Sequence, residues 1–360
     1  MSYLDFVRKL YNGKNCYSDH MNADEICLLH IPSGVEQVIK ETLQKGKLVF
    51  LTGNPGDGKT FIIKAIKETL DECKAYVQAD FNTVRDYTDE AGRIIECYHS
   101  KRPAVIAINE YPFFMLCKKL RELDAEVFED IKRAKAEAIV YDTSETLGRA
   151  VVIDLNERNL LSPDNHRLDE LLDKMVKLLS AEEIYTPALE YNLQAMEIPQ
   201  IRQQLVSLFE LVASECEHFA VRDIIGAFAF ALTACTTDEN AGECYYSAIF
   251  NGSNNLLKAV QRFDPVYLTM PSLDEALWNG TITEGWYLGA PTKWPNDVSL
   301  MDDVDEALER FKIIKRRYYF ENINGMKLLQ KQPDEVKKCA EIFTRFDAQK
   351  RRSRSELYDP

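Results

Sequence analysis

The chain has 360 residues, 46% hydrophobic and 28% charged, enough to bury a large core in two or three domains without disulfide staples. No run reaches the roughly 18 to 20 apolar residues of a membrane span, and no N-terminal segment resembles a secretion signal. Nine cysteines, an odd number with no C-x-x-C pair, read as reduced thiols in a cytoplasmic protein. The net charge of -14 is uneven: residues 310–360 hold 14 Lys/Arg against 7 Asp/Glu, and residues 1–309 hold 30 against 51. The acidic body argues against nonspecific nucleic-acid binding. The basic end, which includes Lys350, Arg351, Arg352 and Arg354, reads either as a site for an anionic partner such as DNA or as a solvated tail.

Ser33 and Glu36 form an S-x-x-E capping box ahead of an apolar stripe of Val35, Val38, Ile39 and Leu43, and Gly46 supplies a stop, so a helix is expected over 34–45. The apolar run KLVFLT predicts a strand over 47–52. After GNPGDGKT, the spacing of Ile62, Ile63, Ile66 and Leu70 predicts a helix over 60–72. Further strands are expected at 75–80, 104–109 and 150–155, with helical patterns between them, notably over 113–138. Near-continuously apolar strands alternating with helices predict an α/β fold with a parallel sheet covered on both faces. From Ser162-Pro163, a cap and first-turn proline, strand signals become rare, and 167–180, 198–215 and 221–235 read as consecutive helices. Past residue 236, glycines and prolines break the chain into short pieces, and helical periodicity returns near 303–317 and 333–346. The expected division is an N-terminal segment and helix (1–46), an α/β core (47–161), a helical lid (162–236) and a mostly helical C-terminal region with a basic tail (237–360).

The segment Gly53-Asn54-Pro55-Gly56-Asp57-Gly58-Lys59-Thr60 satisfies G-x-x-x-x-G-K-[ST] in full. Glycines at these places let backbone N–H groups surround phosphate oxygens, and the following helix turns its positive end to the same anion. Lys59 would neutralise the β- and γ-phosphates of ATP, and Thr60 would give its hydroxyl to Mg2+. The context, a strand before and a helix after, is the one the motif requires.

Hydrolysis needs more: a polar group near magnesium and a group that orients the attacking water. Two strands compete for this role, AVIAINE with Asn109 and Glu110, and AVVIDLN with Asp154. In its G-x-P-G-x-G-K-T form the loop resembles that of AAA+ and related ATPases, and the resemblance implies an acidic strand about fifty residues after the lysine. Glu110 lies 51 residues after Lys59 and Asp154 lies 95 after it, so spacing favours the first strand. The second then fits the place of a polar sensor, Asn156. Asn109 stands where an aspartate is expected. Its amide oxygen can still accept hydrogen bonds from metal-bound water, with one negative charge fewer, or it can serve only as a helix cap.

A transition state gathering charge on the γ-phosphate calls for a guanidinium. Arg158, Arg167 and Arg222 are the candidates. Arg222 opens an apolar helix, against the helix dipole. The five histidines have no metal-ligand spacing. The cluster RRYYFEN (316–322) reads as core packing or as a stacking surface for nucleobases. The region holding Trp278, Trp286 and Trp294 reads as a partner surface.

Together, GNPGDGKT, the strand AINE, the segment VVIDLNERNLL and the helix start VRDIIGAFAFALT resemble the DptF-type ATPases of DNA phosphorothioation-dependent restriction, within the AAA+/STAND-like P-loop ATPases. Weaker echoes are YYSAIFNGSNNLLKAVQRFDP, LDEALWNG and RRYYFEN. The likeness spans most of residues 47–322, and only the loop is specific by itself. It implies a helical lid whose first arginine senses phosphate, an Asn-Glu pair in the acidic strand, homo-oligomers with the active site at subunit interfaces, and a protein effector partner in bacterial antiphage defence. Two functions are expected to compete: an ATPase that licenses an effector, and a nucleotide-gated scaffold with little turnover.

Overall fold

The computed structural model describes residues 2–11, 21–31, 34–138, 148–156, 167–182, 186–214, 219–237, 243–268, 270–289 and 298–331. Ser33, Arg158, Ser162-Pro163, Trp294, the expected helix at 333–346 and the basic tail lie outside these residues. The described chain divides into two units. A sheet unit takes the described residues of 17–159 together with 220–222. A helical unit takes those of 1–16, 160–219 and 223–342.

The first elements in chain order are α1 (Tyr3–Tyr11), α2 (Ala23–Leu29), α3 (Gly34–Gln44), β1 (Leu48–Thr52), α4 (Lys59–Ala65), α5 (Lys67–Glu72) and β2 (Tyr76–Gln78). There follow α6 (Tyr87–Ser100), β3 (Ala104–Ile108), α7 (Glu110–Leu123), α8 (Ala125–Ala136) and β4 (Ala150–Asp154). All but α1 belong to the sheet unit. The four strands form one parallel sheet in the order β2-β3-β1-β4, with Phe50 in register with Ile106 on one side and Val152 on the other.

Side chains alternate between the faces of a strand. Leu48 and Phe50 therefore join Ile106, Ile108 and Val152 in a core with Ile94 of α6, Leu116 of α7 and Phe128 of α8. Val49 and Leu51 join Val105, Val151 and Ile153 in a core with Ile39 of α3, Ile63 of α4 and Leu70 of α5. Every residue of β1, β3 and β4 is buried, which is why these strands read as unbroken apolar runs. This is the expected α/β sheet with helices on both faces.

Two helices differ from expectation. The helix expected over 60–72 bends at Ile66 (φ -103°, ψ 17°) into α4 and α5. The bonds from Ile66 N–H to Ile62 and from Leu70 N–H to Ile66 carry the ladder through the bend. The helix expected over 113–138 breaks at Asp124, whose carboxylate accepts the N–H groups of Glu126 and Val127 and so caps α8. Its first part also starts earlier, at Glu110, because Pro112 is tolerated in a first turn.

The helical unit adds α9 (Arg167–Leu179), α10 (Pro187–Glu197), α11 (Pro199–Ser214), α12 (Val221–Thr233, from Asp223 onward), α13 (Tyr245–Ala248) and α14 (Asn255–Val260). It ends with α15 (Pro271–Trp278), α16 (Val304–Glu321) and α17 (Ile323–Lys331). α1 packs on α9. Residues 316–322 are interior: Tyr318, Tyr319 and Phe320 are buried, Arg316 forks onto Asp264, and Arg317 lies over the Trp286 ring while pairing with Glu321. Of the two readings of this cluster, packing is the one observed. Trp278 and Trp286 are likewise half-buried against Phe311 and Tyr318 of α16. Among the described residues no helix is long and apolar enough to cross a membrane.

Candidate functional site

β1 ends at Thr52, the glycine-rich loop follows, and α4 begins at Lys59. Gly56 (φ +98°) and Gly58 (φ +87°) occupy the left-handed region, where a Cβ would be strained. The loop is held by its own side chains. The buried Asp57 accepts the N–H of Asn54 at 2.6 Å, and Lys59 Nζ donates to the carbonyls of Gly53 at 2.8 Å and Asn54 at 2.7 Å. Burial pushes the Lys59 ammonium below its usual range, against the pull of Asp57, Asp80, Glu110 and Asp154. A partly buried ammonium needs acceptors, and the loop carbonyls supply them; a polyphosphate offers charged acceptors that make stronger bonds. Thr60 Oγ1 has only a long contact, 3.5 Å, to the Ala79 carbonyl. Asn54 and Pro55 are exposed at the tip of the loop.

Because β3 and β4 both pair with β1, the two competing strands end on either side of this loop. Asn109 takes the N-cap position of α7, yet its side chain makes no capping bond; its Nδ2 donates to Asn82 instead. Glu110 is the first residue of α7 and receives Asn156 Nδ2 on Oε1 at 3.2 Å. Asp154 closes β4, with Oδ1 accepting the Asn156 N–H at 3.0 Å. The spacing argument set Glu110 and Asp154 as alternatives, and the structure brings them together.

What joins them is Lys135, which the sequence reading did not single out. From the last turn of α8, its Nζ donates to Glu110 Oε1 at 2.8 Å, Asp154 Oδ2 at 2.8 Å and Thr52 Oγ1 at 3.2 Å. The side chain is 7% exposed. A signal was present: Phe128, Ile131 and Lys135 follow helical spacing, so this lysine sits on the buried stripe of an amphipathic helix. Both Asp154 oxygens are engaged, one by Lys135 and one by the Asn156 backbone.

Two acceptors at the site are left over. Asn109 Oδ1 and Asn156 Oδ1 are buried without a hydrogen-bond partner among the described residues, an arrangement that costs about 1–3 kcal/mol for each group. Both fit a hydrated cation and its substrate, since an amide oxygen accepts from metal-bound or attacking water. Among the described residues no group of three or more His, Cys, Asp or Glu side chains is placed to hold a metal. Thr60 by its hydroxyl, and Asn109 through a water of the metal's shell, are the side chains that would hold magnesium here.

Of the arginines, Arg222 belongs with the sheet unit. Its N–H faces the Gly56 carbonyl at 3.4 Å, and its guanidinium carbon would lie 3.5 Å from a Cβ on Gly56. Arg167 opens α9 in the helical unit. Arg158 is outside the described residues.

The chain matches no protein-family model, no curated protein and no solved structure.

Proposed function

We propose that this chain is a P-loop ATPase that binds MgATP at Gly53–Thr60 and hydrolyses it with Glu110. The observation that carries the reading is the convergence on one loop of a G-x-x-x-x-G-K-T motif, Glu110, and two buried acceptor oxygens without partners. Lys59 would exchange the carbonyls of Gly53 and Asn54 for the β- and γ-phosphates. Glu110, anchored on one oxygen by Lys135 and Asn156, would orient water for in-line attack. Asn156 would present its amide oxygen to that water or, with its amide rotated, its N–H to the γ-phosphate. Arg222, already against the loop at Gly56, is the described arginine best placed to meet developing charge. Bound magnesium would neutralise charge on the β- and γ-phosphate oxygens.

The test is phosphate release from ATP by wild type, Lys59→Ala and Glu110→Gln under one set of conditions. Turnover in the wild type and its loss in both variants is expected. Unchanged turnover in either variant sinks the assignment.

The wider role rests on the likeness of the quoted segments to the ATPases of phosphorothioation-dependent restriction. On it, the chain is a cytoplasmic, oligomeric subunit of an AAA+-like machine, with a helical lid, that licenses an effector protein directed at foreign DNA. DNA contact would come through that partner or the basic C-terminal end. If through the end, affinity should fall steeply with salt and with removal of residues 348–360. A second reading, a nucleotide-gated scaffold with little turnover, is favoured by the amide of Asn109 where a carboxylate would strengthen magnesium binding. Sizing the protein with ATP, ADP and no nucleotide, beside turnover on the same sample, separates the two: assembly that follows bound ATP without phosphate release supports the scaffold.

A further inference from the structure

We propose that Lys135 is a positioning residue for the hydrolytic step: its buried ammonium holds Glu110 and Asp154 on one centre at the end of β1. The proposal rests on the ATPase reading and adds a residue to it. An ammonium has three donors, and here all three have acceptors on three different elements: Thr52 at the end of β1, Asp154 at the end of β4 and Glu110 at the start of α7. One side chain from α8 thus sets the relative placement of the residue before the phosphate loop, the water-orienting acid and the support of Asn156.

The geometry of Glu110 depends on this. Its Oε1 is fixed by Lys135 at 2.8 Å and by Asn156 at 3.2 Å, and Asn156 is itself held through its backbone on Asp154. Without the ammonium, Glu110 loses its 2.8 Å anchor whether or not Asp154 is charged, and while Asp154 keeps its charge the two carboxylates also repel. Glu110, 31% exposed, can swing toward solvent, while Asp154, 5% exposed, has no such freedom. The loss would therefore fall on the acid that meets water. The Lys135 side chain is 7% exposed, so its head is set by these buried partners and does not follow Glu110 into solvent. Lys59 makes none of these contacts, because its bonds go to Gly53 and Asn54. Nucleotide binding and placement of Glu110 are thus assigned to different lysines.

The experiment compares Lys135→Met and the double variant Lys135→Met/Asp154→Asn with wild type. The second change removes the surplus buried charge, which separates a folding defect from a positioning one. Three quantities are read: the unfolding temperature, the affinity for a fluorescent ATP analogue with magnesium, and kcat with KM for ATP. The double variant is expected to fold, to bind the analogue within about threefold of wild type, and to lose roughly 10- to 100-fold in kcat at nearly unchanged KM, the scale of a displacement of about 1 Å at a reacting group. Wild-type kcat in a folded double variant would overturn the proposal and leave Lys135 as the counter-charge of Asp154. Failure of both variants to fold would also overturn it, by placing Lys135 in the core. Glu110→Gln in the same assay keeps the two levels apart. If it retains turnover, the ATPase assignment itself fails. If it loses turnover while the folded Lys135 variants keep theirs, only the role of Lys135 fails.

Discussion

Each unit of this protein buries an ionic network, and the two are finished differently. In the helical unit, Glu321 is 0% exposed and takes donors from Tyr191 at 2.5 Å, Tyr245 at 2.9 Å and Arg317 at 2.8 Å. Burial pushes its carboxyl above the usual range, opposed by Arg317 and by the hydrogen bonds from Tyr191 and Tyr245. In the sheet unit, Lys135 binds Glu110 and Asp154, but Glu110 stays partly exposed and the nearby amide oxygens of Asn109 and Asn156 have no partner among the described residues. The first network is closed around its charge, as a structural one must be. The second leaves polar atoms unpaired beside a glycine-rich loop, and buried acceptors are kept in that state at a cost that a ligand can repay.

The contrast is broken most directly by paired substitutions. Glu110→Gln should lower ATP turnover by about 10²- to 10⁴-fold, the range for a group that orients or deprotonates a nucleophile, and leave the unfolding temperature close to wild type. Glu321→Ala should do the reverse. Removing one partner of a buried pair costs about 3–5 kcal/mol, so thermal unfolding should move down by several degrees, with nucleotide affinity of the folded protein kept. If the two variants exchange these effects, the division between a functional and a structural network is wrong.

A smaller effect is expected at Gly56. A Cβ there would adopt φ +98° and meet Ala220 Cβ at 3.0 Å. Gly56→Ala should weaken ATP binding by roughly tenfold, from about 1–2 kcal/mol of backbone strain; an unchanged dissociation constant would mean that the loop does not need this conformation to take phosphate. The smallest effect is at Asn109. Restoring a carboxylate with Asn109→Asp should leave turnover within a few-fold of wild type or raise it, and tighten magnesium dependence. A complete loss would show that the amide has a role an acid cannot fill.

Much of the sheet unit was legible because its signals are local. Strand runs such as AVIAI are buried at every position, and a motif of eight residues marks the glycine-rich loop between β1 and α4. The caps were harder to see: Asp124 divides a helix that periodicity alone joins, because one carboxylate bonding two backbone N–H groups outweighs a continuous apolar stripe. Strand order was not available from sequence at all. Spacing from Lys59 ranked Glu110 above Asp154, but it could not reveal that β3 and β4 lie on either side of β1, which makes the two acids neighbours. Lys135 was missed for a related reason. A lysine in the last turn of a helix reads as a favourable partner for the helix dipole, and its true partners lie 19, 25 and 83 residues away in sequence. The packing of α1 on α9 is long-range in the same way.

The central claim is that Gly53–Thr60 is a nucleoside triphosphate site in which Lys59 trades loop carbonyls for phosphates. Equilibrium titration of ATP with magnesium into wild type and Lys59→Ala tests it most directly. Saturable binding to wild type that weakens by at least about 10- to 100-fold in the variant, the loss of one or more charge-assisted hydrogen bonds, is the predicted result. Equal affinity in the two proteins, or no binding to either, would contradict the account.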